Sequence, residues 1–233
     1  MTGYARQERD ALCDLLTSLG PDQPTLCEGW LTRDLAAHLV LRERRPDAAP
    51  GILLPWLAGH TARVQRALAA RPFPELVARL RRPPALLAPF DEAMNAFEFF
   101  VHHEDVRRAQ PDWRPRALSD GQAQGLWRRV RAVCRLSLRR FPATVVVTSP
   151  GFGEFRAGAG VRRTGAVGGP AAAGRDRATA GTAADATGHE EVRVSGGPDE
   201  LAMFFTGRQR AARVELTGPA GPAGRLATSR LGV

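Results

Sequence analysis

The chain has 233 residues, 43 % of them hydrophobic, enough for one large domain or a medium domain with a smaller companion. Its net charge of +9 comes from 33 basic residues. All of them are arginine, spread along the chain and often alternating with acids, as in Arg6-Gln7-Glu8-Arg9-Asp10, so a nucleic-acid partner is not the expectation. No apolar run reaches the roughly 18 residues that span a bilayer, and the opening MTGYARQERD carries no charged-then-apolar leader pattern, so a cytoplasmic location is expected.

Residues 4 to 19 carry Leu12, Leu15, Leu16 and Leu19 at helical spacing, and Gly20-Pro21 stops the pattern. The turn-rich stretch Pro24 to Trp30 leads to Thr32, which is suited to cap a helix, with Asp34 in its positive first turn. That helix presents Leu35, His38, Leu39 and Arg42. The prolines of residues 45 to 57 make a connection, followed by helices from about Ala58 to Ala70 and from Glu75 to Arg81. Residues 90 to 109 form the longest helical segment, with Met94, Phe97, Phe100 and Val101 expected to face the core, and Gln110-Pro111 ends it. A helix from Ser119 to Arg139 follows, with Leu126, Val130, Val133, Cys134 and Leu138 on its apolar stripe.

The pattern then changes. Thr144 to Thr148 (TVVVT) is β-branched and predicts a strand ending in the turn Ser149-Pro150-Gly151. Residues 158 to 188 are Gly, Ala, Thr and Arg with almost no large apolar residue, the composition of a disordered insertion. Order resumes with a strand at EVRVS, a short helix from Pro198 to Phe205, a strand at RVELT and a terminal helix. The fold class expected is mainly α: a helical domain over residues 1 to 142, then a small α+β domain over 143 to 233.

Chemistry concentrates at few positions. Glu98 and His102 are four residues apart, one turn along the same helix face, which suits two ligands of one metal. His38, on another partly apolar helix, can supply a third, and three protein ligands leave a coordination position open, as catalytic sites do. Asp105 can orient His102 from behind. The bland alternatives are a hydrogen-bonded core histidine at His38 and a helix-surface pair at Glu98 and His102. His103 points about 100° away from its neighbour, toward solvent or an adjacent helix, and His60 and His189 are expected to be solvated. Cys13, Cys27 and Cys134 form no CxxC pair and fit a reducing compartment as small core or near-surface residues.

The stretch Trp30-Leu-Thr-Arg-Asp34-Leu-Ala-Ala-His38-Leu39 resembles the signature helix of the DinB-like, mycothiol-dependent maleylpyruvate isomerase group. Glu98-Phe-Phe-Val-His102-His-Glu-Asp105 is similar to that group's E-x3-H-x2-D helix, and Leu201-Ala-Met-Phe-Phe-Thr-Gly207-Arg208 to the Gly-Arg element of its C-terminal domain. Val40 to Gly51 resembles an actinobacterial branch described only as metal-binding. The resemblance covers residues 1 to about 156 and 190 to 233. It implies a DinB-like four-helix bundle with one divalent metal, Zn2+ or another such as Ni2+, on His38, Glu98 and His102, and Asp105 and Asp34 as supporting residues. It further implies mycothiol as cosubstrate, its thiol activated by the metal against a small electrophile, with Arg208 as the match for a substrate-binding arginine. A non-catalytic metal-binding protein is the competing expectation. The implied partners are small molecules, without membrane, and compatible with a homodimer.

Overall fold

The computed structural model describes residues 3–84, 91–159 and 191–232. The insertion expected at 158 to 188 and His189 therefore fall almost wholly outside the described residues. The chain is mainly helical, with eight α-helices among the described residues and one small four-stranded sheet. No described helix is long and apolar enough to cross a membrane. The chain divides into two compact units, Met1–Ala117 and Leu118–Val233.

The first unit is helical. Helix α1 (Tyr4–Leu19) buries Leu12, Cys13 and Leu16 and packs against α4 (Phe73–Arg81) and α5 (Asp91–Arg107). Helix α2 (Thr32–Arg44) packs on α3 (Ala58–Ala69) and α4. Their shared core joins Leu12, Leu16, Leu35, Leu39, Leu76 and Phe99. The proline-rich connection between α2 and α3 winds into two short 3-10 turns, Ala49–Ile52 and Pro55–Leu57. Gly51 is required there because a Cβ would sit 2.0 Å from Thr61 Oγ1 and 2.6 Å from the Leu57 carbonyl oxygen.

Two local expectations change. The residue before α2 is Leu31, not Thr32. Asp34 supplies the cap by accepting from the Leu31 amide at 3.0 Å, while the Thr32 hydroxyl donates to the Gly20 carbonyl at 2.6 Å. On α5, Phe99 and Phe100 are the fully buried aromatics and Phe97 is half-buried; the Met94 side chain lies outside the described residues. The period is obscured because every residue from Phe99 to Val106 is buried, so this helix has no solvent face there for a stripe to oppose.

The second unit starts earlier than the change in sequence pattern suggests. Helix α6 (Asp120–Ser137), capped by Ser119 accepting from the Gln122 amide, packs with the later elements. Four strands follow in the spatial order β2-β1-β3-β4: β1 (Thr144–Ser149), β2 (Gly153–Ala157), β3 (Glu191–Ser195) and β4 (Glu215–Thr217). β1 pairs antiparallel with β2 and parallel with β3, and β3 pairs antiparallel with β4. Val145, Val146 and Val147 are all buried, consistent with a central strand covered on both faces. Helices α7 (Pro198–Phe205), which packs against α6, and α8 (Ala220–Thr228) complete the unit.

Candidate metal centre

The site is built on α2 and α5. Leu35 and Leu39 fix α2 in the core, and His38, between them in sequence, is buried with its ring tilted against Trp30 at a centroid separation of 5.0 Å. On α5, Phe99 and Val106 anchor the helix, and the turn between them carries the polar cluster. The His38 and His102 rings stand edge to face with centroids 5.5 Å apart. His102 Nε2 lies 3.2 Å from Glu98 Oε1, so the helical spacing alone brings these two donors together. One ligand atom from each of His38, Glu98 and His102 lies within 4.8 Å of the other two. The three sequence-predicted ligands therefore converge, from helices about sixty residues apart in the chain.

The other ring nitrogen is equally committed. His102 Nδ1 is 2.9 Å from Asp105 Oδ2, and Asp105 is fully buried. A carboxylate in this position fixes the tautomer and turns Nε2 toward Glu98, the role Asp105 was expected to fill. Asp34 plays a different part: it holds the start of the helix that carries His38. Arg208 stands at the end of α7 in the second unit, where its guanidinium donates to the Thr206 carbonyl at 2.5 Å.

Charge is graded across the cluster. Burial pushes the Glu98 carboxyl up, but His102, Arg42 and His38 outweigh it and hold the group at about 2. Burial opposes the His102 cation, yet its hydrogen bonds with Asp105, Cys27 and Glu98 raise its pKa well above the ordinary histidine range. Two carboxylates thus favour positive charge on the His102 imidazole. A divalent ion answers the same demand with N, N and O donors that suit zinc and its neighbours.

Three features escaped the sequence reading. Cys27 donates to Asp105 Oδ2 at 3.2 Å, and its loop is pinned to α5 by the Leu26 amide on the Asp105 carbonyl at 3.0 Å. Behind Glu98, a polar chain runs into the core. Arg42 Nε lies 3.6 Å from Glu98 Oε1 and its Nη1 donates to Asn95 at 2.9 Å; Asn95 donates to Glu43 at 3.2 Å. Glu43 is forked onto Arg9 at 2.6 and 2.8 Å, where Arg9 also caps the Leu80 carbonyl and lies over the Phe99 ring. Finally His103 turns to α1 and meets Glu8 at 2.8 Å; Arg116 bonds both Glu8 oxygens and Glu104. The neighbouring-helix option for His103 is the one realised. Nothing in the sequence marks Glu8, Arg9 and Glu43 as buried, because no spacing rule distinguishes a buried pair from an exposed one.

Comparison with protein-family models, with curated proteins and with solved structures returns no match.

Proposed function

We propose that this chain binds one divalent metal, Zn2+ or a close relative, through His38, Glu98 and His102, and uses it to activate a thiol. On this reading the first unit is a DinB-like bundle, and the activity is that of a mycothiol-dependent isomerase or thiol transferase acting on a small electrophile. The observation that carries it is the convergence of two imidazoles and a carboxylate from α2 and α5, backed by Asp105 on the far side of His102. The donor set fits the metal: two buried borderline imidazoles and one half-exposed carboxylate, so that the site is fixed by the core and approachable at Glu98.

A metal held there lowers the pKa of a coordinated thiol, whose thiolate is the nucleophile. The chain's own residues do the rest. Asp105 holds the His102 ring, Trp30 walls one face of His38, and Arg42 with Asn95 fixes the Glu98 carboxylate.

The test is metal analysis of protein purified without added metal, alongside His38→Ala and His102→Ala. About one ion per chain, lost in both variants, is expected; full occupancy in both would sink the site. A thiol-transfer assay with mycothiol and a panel of electrophiles then separates catalysis from simple metal binding. Absence of turnover in the metal-loaded protein would favour the non-catalytic reading.

A further inference from the structure

The proposed thiol-activating centre uses one edge of the His102 ring, and the structure furnishes donors at the other. Cys27 Sγ lies 3.2 Å from Asp105 Oδ2, and the same oxygen lies 2.9 Å from His102 Nδ1. Thiol sulfur, ring nitrogen and carboxylate oxygen are all within 4.8 Å of one another. Asp105 and His102 are buried and Cys27 is half-buried, so the trio has one approachable member. Around a tetrahedral zinc-type ion, bonds of about 2.0–2.3 Å put neighbouring donors about 3.3–3.5 Å apart. Both observed separations need to open by only a few tenths of an ångström.

We propose that Cys27, His102 through Nδ1, and Asp105 form a second cation site, for a thiophilic divalent ion, that shares His102 with the first. It rests on the first reading only through that shared ring. A hydrogen-bonding role explains Asp105, because a carboxylate suffices to orient an imidazole. The same oxygen has lone pairs for both the ring N–H and the thiol, so the three groups already converge on one point. Thiolate is the donor that soft and borderline metals select.

The proton balance is simple. The incoming ion replaces the thiol proton and the Nδ1 proton, both of which pass to solvent, while Asp105 remains an anion and exchanges two hydrogen bonds for one coordinate bond. With both sites filled the His102 ring bridges through its two nitrogens and carries no ring N–H. The other thiols do not compete. Cys13 and Cys134 are fully buried, and burial pushes Cys13 up to about 12 and Cys134 well above the usual thiol range.

The experiment is titration of the whole chain with Cd2+ alone, following bound ion per chain and the ultraviolet thiolate-to-cadmium charge-transfer band. Two ions per chain and a band are expected. Cys27→Ser should lose the band and one ion and keep the other; His38→Ala should keep the band and lose one ion. Asp105→Asn, which can still accept a hydrogen bond, should weaken the band-forming site at least tenfold. Absence of the band, a band that survives Cys27→Ser, or a wild-type stoichiometry that Cys27→Ser leaves unchanged would each overturn the second site. Failure of the first site looks different: His38→Ala would then bind as wild type does while Cys27→Ser still abolished the band. Circular dichroism of each variant, matched to wild type, separates loss of a ligand from loss of fold.

Discussion

Arg9→Met tests whether the ion pair beneath the candidate centre holds the first unit together. Arg9 is 1 % exposed and its partner Glu43 8 %. The substitution removes both bonds to Glu43, the bond to the Leu80 carbonyl and the stacking on Phe99, but adds little volume change. What it leaves is a carboxylate in the core that still accepts from the Asn95 amide but faces no guanidinium. Breaking a buried pair from one side costs about 3–5 kcal/mol, because the surviving charge is uncompensated. For a unit of this size a kcal/mol is worth about 4 °C, so the midpoint should fall by about 12–20 °C. Urea and thermal unfolding, read by circular dichroism, measure it. The double variant Arg9→Met with Glu43→Leu removes both charges and should recover most of the loss. If the single variant costs under about 1 kcal/mol, or the double variant is no better than the single, the pair is not what holds α1, α2 and α4 in place.

Glu8 gives an acid limb to stability. Burial alone would raise its pKa, but His103 and Arg116 bring it down from 4.5 to about 2 in the folded chain. A folded pKa below the unfolded one contributes stability that is complete above about pH 4.5 and is lost as pH falls toward 2. Since a tenfold change in proton affinity is worth about 1.4 kcal/mol, the contribution amounts to roughly 3 kcal/mol. Urea midpoints between those pH values should fall more steeply in wild type than in Glu8→Gln; parallel slopes would contradict the assignment. Gly51→Ala forces a methyl group onto Thr61 Oγ1 and the Leu57 carbonyl. It should cost about 1–3 kcal/mol, as overpacking does, seen as a lower thermal midpoint; a neutral result would mean the turn yields freely.

The helices were legible because their apolar periods are strong: Leu12 and Leu16 on α1, Leu35 and Leu39 on α2, and the Leu126 to Cys134 stripe on α6 all face cores. The strand β2 was not. Gly153-Glu-Phe-Arg-Ala has one large apolar residue, and its pairing with β1 supplies the order that its own composition lacks. The division after Ala117 was hidden for a similar reason, since a helix stripe does not reveal which neighbours it packs against. At the candidate centre, the i,i+4 spacing of Glu98 and His102 is a local fact and could be read directly. That His38 meets them depends on how α2 docks, which only the tertiary structure supplies. Cys27 was invisible because its partner Asp105 is 78 positions away, and a single cysteine in a loop carries no spacing to interpret.

The complete burial of α5 between Phe99 and Val106 has an evolutionary consequence. His102, His103 and Glu104 each point in a different direction and each is bound to a different partner: Asp105, Glu8 and the Arg107–Arg108–Arg116 cluster. Two of these bonds leave the helix, to Glu8 on α1 and to Arg116, and hold its rotation about its own axis. A lineage carrying this segment can alter Glu8, His103 or Arg116 only in concert, since a lone change strands a charge in the interior. Such positions should drift as linked sets while the exposed arginines elsewhere vary one by one.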